Sequence, residues 1–430
     1  MLYLRMTGCD GPAENASALR DAFSVQNQIF STKRLLDVGY VPEPDHIVAR
    51  NEEIRRLASS LNPSIVGETP SNAFLYGKTG TGKSLCARYT TRRIVEAAEN
   101  DISVGRVIVD CSQENTETRA IKATVRGLND SEVTGLVVPE TGFGRSRYYS
   151  LLWEILDTRF DAVLIVLDEL DRLEGTDFLM QLSRATEANK LERCSVGIIG
   201  ISNKIKYRNR LDERVKSSLQ EREIVFTPYD CDALRMIIQS RSNAFNSSVL
   251  SDDVVSKCAA LAADEHGDAR KAINLLRHAG ELAAIDGADK ITVQHVNNAN
   301  NMAERDRVNA LLAGSTIQQK ATLLAVVSLA LVEKSRTFKT PEVYAAYEDI
   351  CAESGLETLS KRRIYDLLRE WEFLEVLEIT RTGGGRARGS YLHHRLLEDP
   401  SVIRSAFEES DRFARIGISS GTTTTTWSNI

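Results

Sequence analysis

The segment from Gly77 to Ser84 carries the residue types that bind nucleotide phosphates. It fits the phosphate-loop pattern of glycine, four residues, then glycine, lysine and serine or threonine. Glycines let the backbone wrap around phosphates without Cβ clashes, and the amide N–H groups attract the anion. We expect Lys83 to reach the β- and γ-phosphates of ATP and Ser84 to ligate Mg²⁺. The predicted nucleotide-binding residues are Gly77, Lys78, Thr79, Gly80, Thr81, Gly82, Lys83, Ser84 and Leu85.

The flanking sequence favours this interpretation over its alternative, a glycine-rich turn with an incidental lysine. Before the loop, Ala73–Tyr76 is a short apolar run typical of a buried strand. After the loop, the stretch from Ser84 to Ala98 is typical of a helix. A strand, a phosphate loop and a helix in this order form the context in which the pattern binds phosphate groups.

Two adjacent carboxylates, Asp168 and Glu169, follow another apolar run, Val163–Leu167. Open α/β sheets bind their ligands at the carboxyl ends of the strands, where these side chains are predicted to lie. We expect Asp168 to hold Mg²⁺, generally through water, and Glu169 to orient or deprotonate the attacking water. Adjacent acids after a strand also occur by chance, so the interpretation depends on their pairing with the phosphate loop.

Two further side chains are candidates for contact with the γ-phosphate. Asn203 follows the apolar run 196–201, although asparagine also ends strands as a turn former. Arg270 lies in the first turn of a predicted helix capped by Asp268, where a cation opposes the helix dipole. We therefore expect Arg270 to reach the γ-phosphate from a second domain; a solvated arginine is the alternative.

Arg214 is a candidate for catalysis across a subunit boundary, as an arginine finger. It lies within Leu211–Leu219, which follows the strand that ends near Asn203. A local salt bridge with Asp212 or Glu213 is the alternative interpretation.

A basic segment near the carboxyl end is the candidate DNA-binding region. Residues 360–395 contain eight lysines and arginines and five acids, a net charge of +3 in a chain whose formal net charge is −6. We expect the helix to enter the major groove with its amino end first, and the flexible Gly/Arg wing to follow it. This arrangement would place the lysines and arginines of the segment on DNA. A solvated face or a protein-binding winged helix is the alternative. The predicted DNA contacts are Lys361, Arg362, Arg363, Arg386 and Arg388.

Composition narrows the class of protein further. The chain has 430 residues, enough for roughly three domains, and the apolar and charged content of a globular protein. Seven cysteines without a Cys-x-x-Cys pair argue against a zinc site or a disulfide framework and for a reducing compartment. Because no apolar run approaches the ~20 residues needed to span a bilayer, we expect a cytoplasmic protein with no membrane contact.

The elements that must position these residues form a multidomain α/β chain. Five short apolar runs, at 73–76, 104–109, 162–167, 196–201 and 223–226, predict a five-stranded parallel sheet covered by helices, an αβα sandwich. Helical periodicity follows, and then three helices and a hairpin, with strands at Phe373–Ile379 and Ser390–His394, predict a winged helix. The predicted domains are an extension (1–40), the nucleotide-binding domain (41–229), a helical lid (230–313), the winged helix (317–415) and a disordered tail (416–430).

This order of features resembles the archaeal replication initiators of the AAA+ class, which are related to eukaryotic origin-recognition and helicase-loading subunits. The resemblance covers about residues 25–410. Beyond the phosphate loop and the winged helix, it rests on Leu167–Asp171, Ile201–Asn203, Arg214–Leu219, Gly267–Arg270, Tyr40–Pro42 and Arg50–Ile54. The last two stretches resemble the family's adenine-side entry.

The resemblance implies roles for individual residues. Asp168 and Glu169 would be the Walker B acids, Asn203 sensor 1 and Arg270 sensor 2. An initiator-specific helical insertion would lie between about 112 and 150. Eukaryotic relatives often carry a second arginine where this chain has Ser218, and its absence favours a protein that is monomeric in solution or assembles on DNA.

The predicted function is that of an ATP-dependent initiator. It would bind origin duplex DNA through the winged helix and the insertion, and would help to recruit the replicative helicase. ATP/ADP and Mg²⁺ would be its cofactors, and slow hydrolysis would switch the angle between the sheet domain and the helical domain. The alternatives are a signalling or defence ATPase whose winged helix binds protein, and a DNA-remodelling motor such as a Holliday-junction or clamp-loading ATPase.

Overall fold

The computed structural model describes residues 28–37, 39–40, 47–99, 101–139, 142–204, 207–219, 221–265, 267–333, 335–381, 392–408 and 413–414. The chain divides into two compact units, Met1–Val296 and Asn297–Ile430. The predicted wing residues Arg386 and Arg388 lie outside the described residues, as do most of the predicted extension and the whole predicted tail. The predicted domain boundaries remain predictions.

The first unit is built on a five-stranded parallel sheet, as predicted, in the order β2-β3-β4-β1-β5. Apolar side chains cover both faces of the sheet, since β1 is buried along its whole length and β3 at all but its last residue. The one charged residue of these two strands, Asp168, lies at the carboxyl end of β3. The strands are β1 (Ala73–Gly77), β2 (Val104–Asp110), β3 (Ala162–Asp168), β4 (Ser195–Ser202) and β5 (Arg222–Phe226).

Helices connect the strands and pack on both faces of this sheet. Their apolar residues recur at helical spacing, as Ile121, Val125 and Leu128 show, and these side chains are buried. The connecting helices are α1 (Asn51–Leu61), α2 (Lys83–Glu96), α3 (Glu117–Leu128), α4 (Ser131–Thr134), α5 (Arg145–Arg159), α6 (Asp177–Ser183) and α7 (Glu213–Leu219). The short helix α4 lies within the segment predicted to hold the insertion.

Helices α8 (Cys231–Gln239), α9 (Asp252–Asp264), α10 (Ala269–Ile285) and α11 (Val293–Ala313) follow β5. The starts of α8 and α10 are fixed by side-chain caps. Asp230 accepts a hydrogen bond from the Ala233 amide at 2.8 Å, and Asp268 accepts one from the Arg270 amide at 2.7 Å. This part of the chain matches the predicted helical lid in composition and order. None of the described helices is long and apolar enough to cross a membrane.

The second unit has the order of a winged helix. Its elements are α12 (Ile317–Glu333), β6 (Thr337–Lys339), α13 (Thr340–Ser354), α14 (Lys361–Phe373), β7 (Leu377–Arg381), β8 (Leu392–Leu396) and α15 (Pro400–Glu408). The three strands form an antiparallel sheet in the order β6-β8-β7. Its core includes Trp371, whose indole N–H donates to the Gln319 carbonyl at 3.0 Å.

Two details of this unit differ from the sequence prediction. The strand predicted from Phe373 begins only at Leu377, because α14 continues to Phe373 and the chain then turns through Glu375 at φ 58°. The predicted start of the second strand, Ser390, lies outside the described residues, and β8 is described from Leu392. Strand β6 was not predicted, since three residues are too few to show an alternating pattern.

Candidate nucleotide-binding site

The phosphate loop lies between β1 and α2, beneath the start of the lid helix α10. Gly80 and Gly82 have φ values of +74° and +90°, in the left-handed region that favours glycine. A Cβ on Gly80 would lie 1.8 Å from Asp268 Oδ1, and one on Gly82 would lie 2.5 Å from the Tyr229 hydroxyl. The Ala269 amide donates to the Gly80 carbonyl at 3.2 Å. Only glycine fits the loop here because the lid contacts its backbone.

Lys83 begins α2 and is 5% exposed. Its Nζ donates to the carbonyl oxygens of Gly77 at 2.8 Å and Lys78 at 2.6 Å. Burial lowers the pKa of Lys83 to about 8, against the opposing attraction of Asp168. The ammonium group is thus held inside the loop with two carbonyls and no ion-pair partner among the described residues. Phosphate oxygens would supply the missing negative charge.

Ser84 and Asp168 meet next to Lys83, which could let them share a metal ion. The Ser84 hydroxyl donates to Asp168 Oδ1 at 3.0 Å. A hydroxyl and a single carboxylate suit Mg²⁺, which keeps several waters and takes its remaining ligands from substrate phosphates. Consistent with that, no group of three or more His, Cys, Asp or Glu side chains able to hold a metal occurs in the described part of the chain.

Glu169 follows β3 in a left-handed conformation, at φ 51°. This turn redirects the chain immediately after Asp168, whose carboxylate accepts the Glu169 amide at 3.1 Å. Both acids line the same cavity as Lys83 and Ser84. The structure therefore brings together the residues predicted to bind phosphate, hold Mg²⁺ and activate water.

Asn203 also lines this cavity, and a carboxylate not singled out from the sequence fixes its position. Asp171 accepts hydrogen bonds from the Ser202 hydroxyl at 3.0 Å and the Asn203 amide at 3.4 Å. It pairs with Lys204 at 3.0 Å. Burial acts to raise the pKa of Asp171, but the hydrogen bonds from Lys204 and Ser202 outweigh it and lower that pKa. Asp171 therefore stays charged and holds the end of β4 beside the acid pair.

The cavity has a volume of about 340 Å³. Arg270 lines it on the lid side with its side chain exposed, near the phosphate loop. The lining also includes aromatic and aliphatic side chains of the kind that contact a purine base. They are Tyr40, Ile47, Val48, Ile237 and Ile273.

Arg50 is a second residue whose role the sequence did not reveal. It is 4% exposed, and its Nε donates to the Thr81 carbonyl at 3.0 Å. Its guanidinium lies 3.9 Å from the centre of the Tyr229 ring and pairs with Glu53 at 2.7 Å. Arg50 thus stabilises the phosphate loop through its hydrogen bond to the backbone. A lone arginine far from the loop in sequence carries no spacing signal for this contact.

Arg214 does not reach the cavity of its own chain. It lies exposed on α7, and its guanidinium makes no hydrogen bond or ion pair with the described residues. The alternative prediction, a salt bridge from Arg214 to Asp212 or Glu213, is also absent among the described residues. Asp212 instead accepts the Arg214 amide at 2.8 Å, and Glu213 pairs with Lys216. The proposed finger role is therefore one that only a second subunit could complete.

In the second unit, Lys361, Arg362 and Arg363 form the exposed first turn of α14. Ser360 caps this helix by accepting the Arg363 amide at 3.4 Å. Arg363 lies 3.8 Å from Asp366, and Lys361 lies 5.2 Å from the centre of the Tyr344 ring. The first turn thus presents three cations to solvent, where a ligand could meet them.

Three family matches define the class of this protein. An AAA domain matches residues 66–205, a Cdc6 AAA+ ATPase-type lid domain matches residues 235–301, and a CDC6 C-terminal winged helix domain matches residues 311–406. With the parallel sheet and the cavity between loop and lid, these matches define an AAA+ ATPase that carries a winged helix.

The chain belongs to the family of ORC1-type DNA replication proteins, which confirms the resemblance inferred from the sequence. It is 47% identical over 402 residues to ORC1-type DNA replication protein 4 of Halobacterium salinarum, covering 93% of this chain and 98% of that protein. It is 39% identical over 387 residues to the ORC1-type DNA replication protein of Pyrococcus horikoshii, covering 88% and 90%.

Solved structures agree with this assignment. The Aeropyrum pernix ORC1 protein in complex with DNA is 35% identical, with a TM-score of 0.65 over 90% of this chain and 99% of that one. The Aeropyrum pernix ORC2 protein, in ADPNP–ADP complexes, is 19% identical with a TM-score of 0.60 and shares the fold.

Proposed function

We propose that this chain is an ATP-dependent replication initiator that binds duplex DNA at origin repeats and helps to recruit the replicative helicase. One observation carries the nucleotide part of the proposal. The lid helix α10 begins on the phosphate loop, with Ala269 bonded to the Gly80 carbonyl and Arg270 facing the cavity. A nucleotide bound there would contact the sheet domain and the lid at once, so its γ-phosphate would bias the angle between them.

Each residue of the cavity has a role in this proposal. Lys83 neutralises phosphate charge, and Ser84 and Asp168 hold Mg²⁺, which when bound supplies further charge neutralisation at the phosphates. Glu169 accepts the proton of the attacking water, and Asn203 orients that water. Arg270 contacts the γ-phosphate and so couples the position of α10 to the presence of this phosphate. Because Arg214 does not reach the cavity of its own chain, hydrolysis by the isolated chain is slow and works as a switch.

DNA binding is proposed for the first turn of α14, for Arg386 and Arg388, and for the insertion between β2 and β3. A helix amino terminus with three exposed cations suits both phosphate contact and entry into the major groove. The DNA complex of the Aeropyrum pernix ORC1 protein, with its 35% identity to this chain, supports DNA as the ligand. We propose a cytoplasmic protein that is monomeric in solution and assembles on DNA.

Footprinting of duplex DNA from a replication origin, with and without ATP, tests this proposal. We expect protection of discrete repeats that changes with the nucleotide. Replacing both Lys361 and Arg362 by alanine should weaken protection by at least tenfold and reduce its salt dependence. Arg369→Ala is the control for loss of one cation elsewhere on the same helix, since this arginine lies later in α14, bonded to Tyr365 and paired with Glu372.

Two outcomes would contradict the proposal. Absence of any protected duplex sequence would exclude origin binding. Weak DNA binding that is indifferent to salt, and unaffected by the double substitution, would instead favour a winged helix that binds protein.

A further inference from the structure

Four arginines lie close together on one surface of the first unit. Arg88 and Arg92 lie one turn apart on the outer side of α2, and Arg93 is adjacent. Arg106 lies in the middle of β2, an edge strand of the sheet, and its Nη1 reaches the Arg88 carbonyl at 3.5 Å. We call Arg88, Arg92, Arg93 and Arg106 the arginine surface.

The arginine surface is poorly neutralised. Among the described residues, its one ion-pair partner is Glu96, which lies 3.6 Å from Arg92 and 2.8 Å from Arg93. Arg92 Nε is buried without a hydrogen bond. Arg88 and Arg106 have no carboxylate partner in the described part of the chain. The four guanidinium groups thus have one carboxylate partner among the described residues, and it pairs with only two of them.

This crowding has a physical cost. Burial is the main cause that lowers the pKa of Arg106, and repulsion by Arg92 and Arg88 lowers it further. Attraction by Glu96 opposes this lowering only in part. Like charges held close together destabilise the folded chain. A local violation of charge balance without an internal compensation points to a ligand that supplies the missing negative charge.

We propose that the arginine surface binds the phosphate backbone of duplex DNA, as a contact separate from the winged helix. Guanidinium forks match phosphate oxygens in bidentate geometry, and arginine suits this contact better than lysine. In the described sheet β2 is an edge strand, and Arg106 and the neighbouring Arg88 are exposed, so an extended polyanion could contact both. The inference rests on the DNA binding proposed above but uses none of its residues.

The test is a salt titration of duplex binding by the full chain, measured by fluorescence anisotropy. The variant replaces Arg92 and Arg106 by glutamine; Arg88 is left in place because it also lines the nucleotide cavity. The control replaces Arg55 and Arg193 by glutamine, which removes the same charge from arginines paired with Glu52 and Asp161.

We expect the Arg92/Arg106 variant to bind duplex at least tenfold more weakly at low salt, with ATP affinity unchanged. The slope of log K against log salt concentration should become shallower by about one to two units, since each phosphate contact contributes about 0.9. The control should match the wild type. An unchanged slope and affinity in the Arg92/Arg106 variant, or an equal loss in the control, would overturn the inference.

Two more readouts distinguish a DNA contact from a purely structural role of the arginines. If the wild-type chain does not bind duplex DNA, the proposed function is wrong, and the inference that depends on it is wrong as well. If the arginines are structural, Arg106→Gln should lower the melting temperature and leave DNA affinity intact. The inference predicts the reverse: weaker DNA binding and, at low salt, a melting temperature at or above that of the wild type.

Discussion

At the scale of single residues, we propose that nucleotide binding depends most directly on Lys83. Its ammonium group is buried among carbonyl oxygens, and this burial is the main cause that lowers its pKa to about 8. The side chains that support the loop could not be predicted in the same way. The phosphate loop is contiguous in sequence, whereas Arg50 and Asp171 act through contacts that exist only after folding.

The pKa of Lys83 makes ATP binding depend on pH. Phosphate contact favours the charged amine, so above pH 8 the protein must take up a proton when ATP binds. We expect ATP affinity to be nearly constant between pH 7 and 8 and then to fall by up to about tenfold per pH unit. Calorimetry from pH 7 to 10 measures this.

Lys78→Met is the control, because that lysine is exposed on the same loop and its replacement should leave the profile unchanged. An ATP affinity of the wild-type chain that stays flat to pH 10 would show that Lys83 is not the group that takes up the proton.

Glu169 is predicted to serve hydrolysis rather than binding. Glu169→Gln keeps the shape of the side chain but removes its basicity, so hydrolysis should fall by about 100-fold or more. ATP affinity should change by less than about threefold, since Lys83 and the loop amides remain. Phosphate release in single-turnover conditions measures the first quantity. Hydrolysis at the wild-type rate would remove Glu169 from the mechanism.

At the scale of elements, the contact between the phosphate loop and α10 links the nucleotide to the lid. Sequence patterns predicted both elements, and Asp268 as the cap of α10, but not that the cap lies against Gly80. In the winged helix, too, sequence patterns predicted the elements better than the contacts between them. Its long helices follow from apolar periodicity, whereas β6 and the start of β7 depend on pairing with β8.

Gly80→Ala tests this contact. The new Cβ would collide with Asp268, so we expect the start of α10 to shift and ATP affinity to fall by tenfold or more. Gly175→Ala is a close control, with φ +77° against +74° for Gly80 and no atom within 4 Å of the added Cβ. Backbone strain of about 1 kcal/mol is common to both variants. Equal ATP affinities would show that the lid contact does not matter for nucleotide binding.

At the scale of the whole molecule, the order of a phosphate loop, an acid pair, a lid and a winged helix predicted the architecture and the family, and both were confirmed. Composition could not do this, because an acidic chain gives no global sign of DNA binding. The DNA contacts that we propose lie on local surfaces, in the first turn of α14 and on the arginine surface. The arginine surface combines a helix and a strand, so its charges come together only in the folded unit.

Genome-wide DNA occupancy of the full-length chain in its own cells tests the proposed initiator function most directly. We expect a few discrete sites that contain repeated sequences and coincide with the positions where replication begins. We also expect Lys83→Met to change occupancy at those sites. Occupancy spread evenly over the genome, or discrete sites unrelated to the start of replication and indifferent to Lys83, would contradict the proposed function.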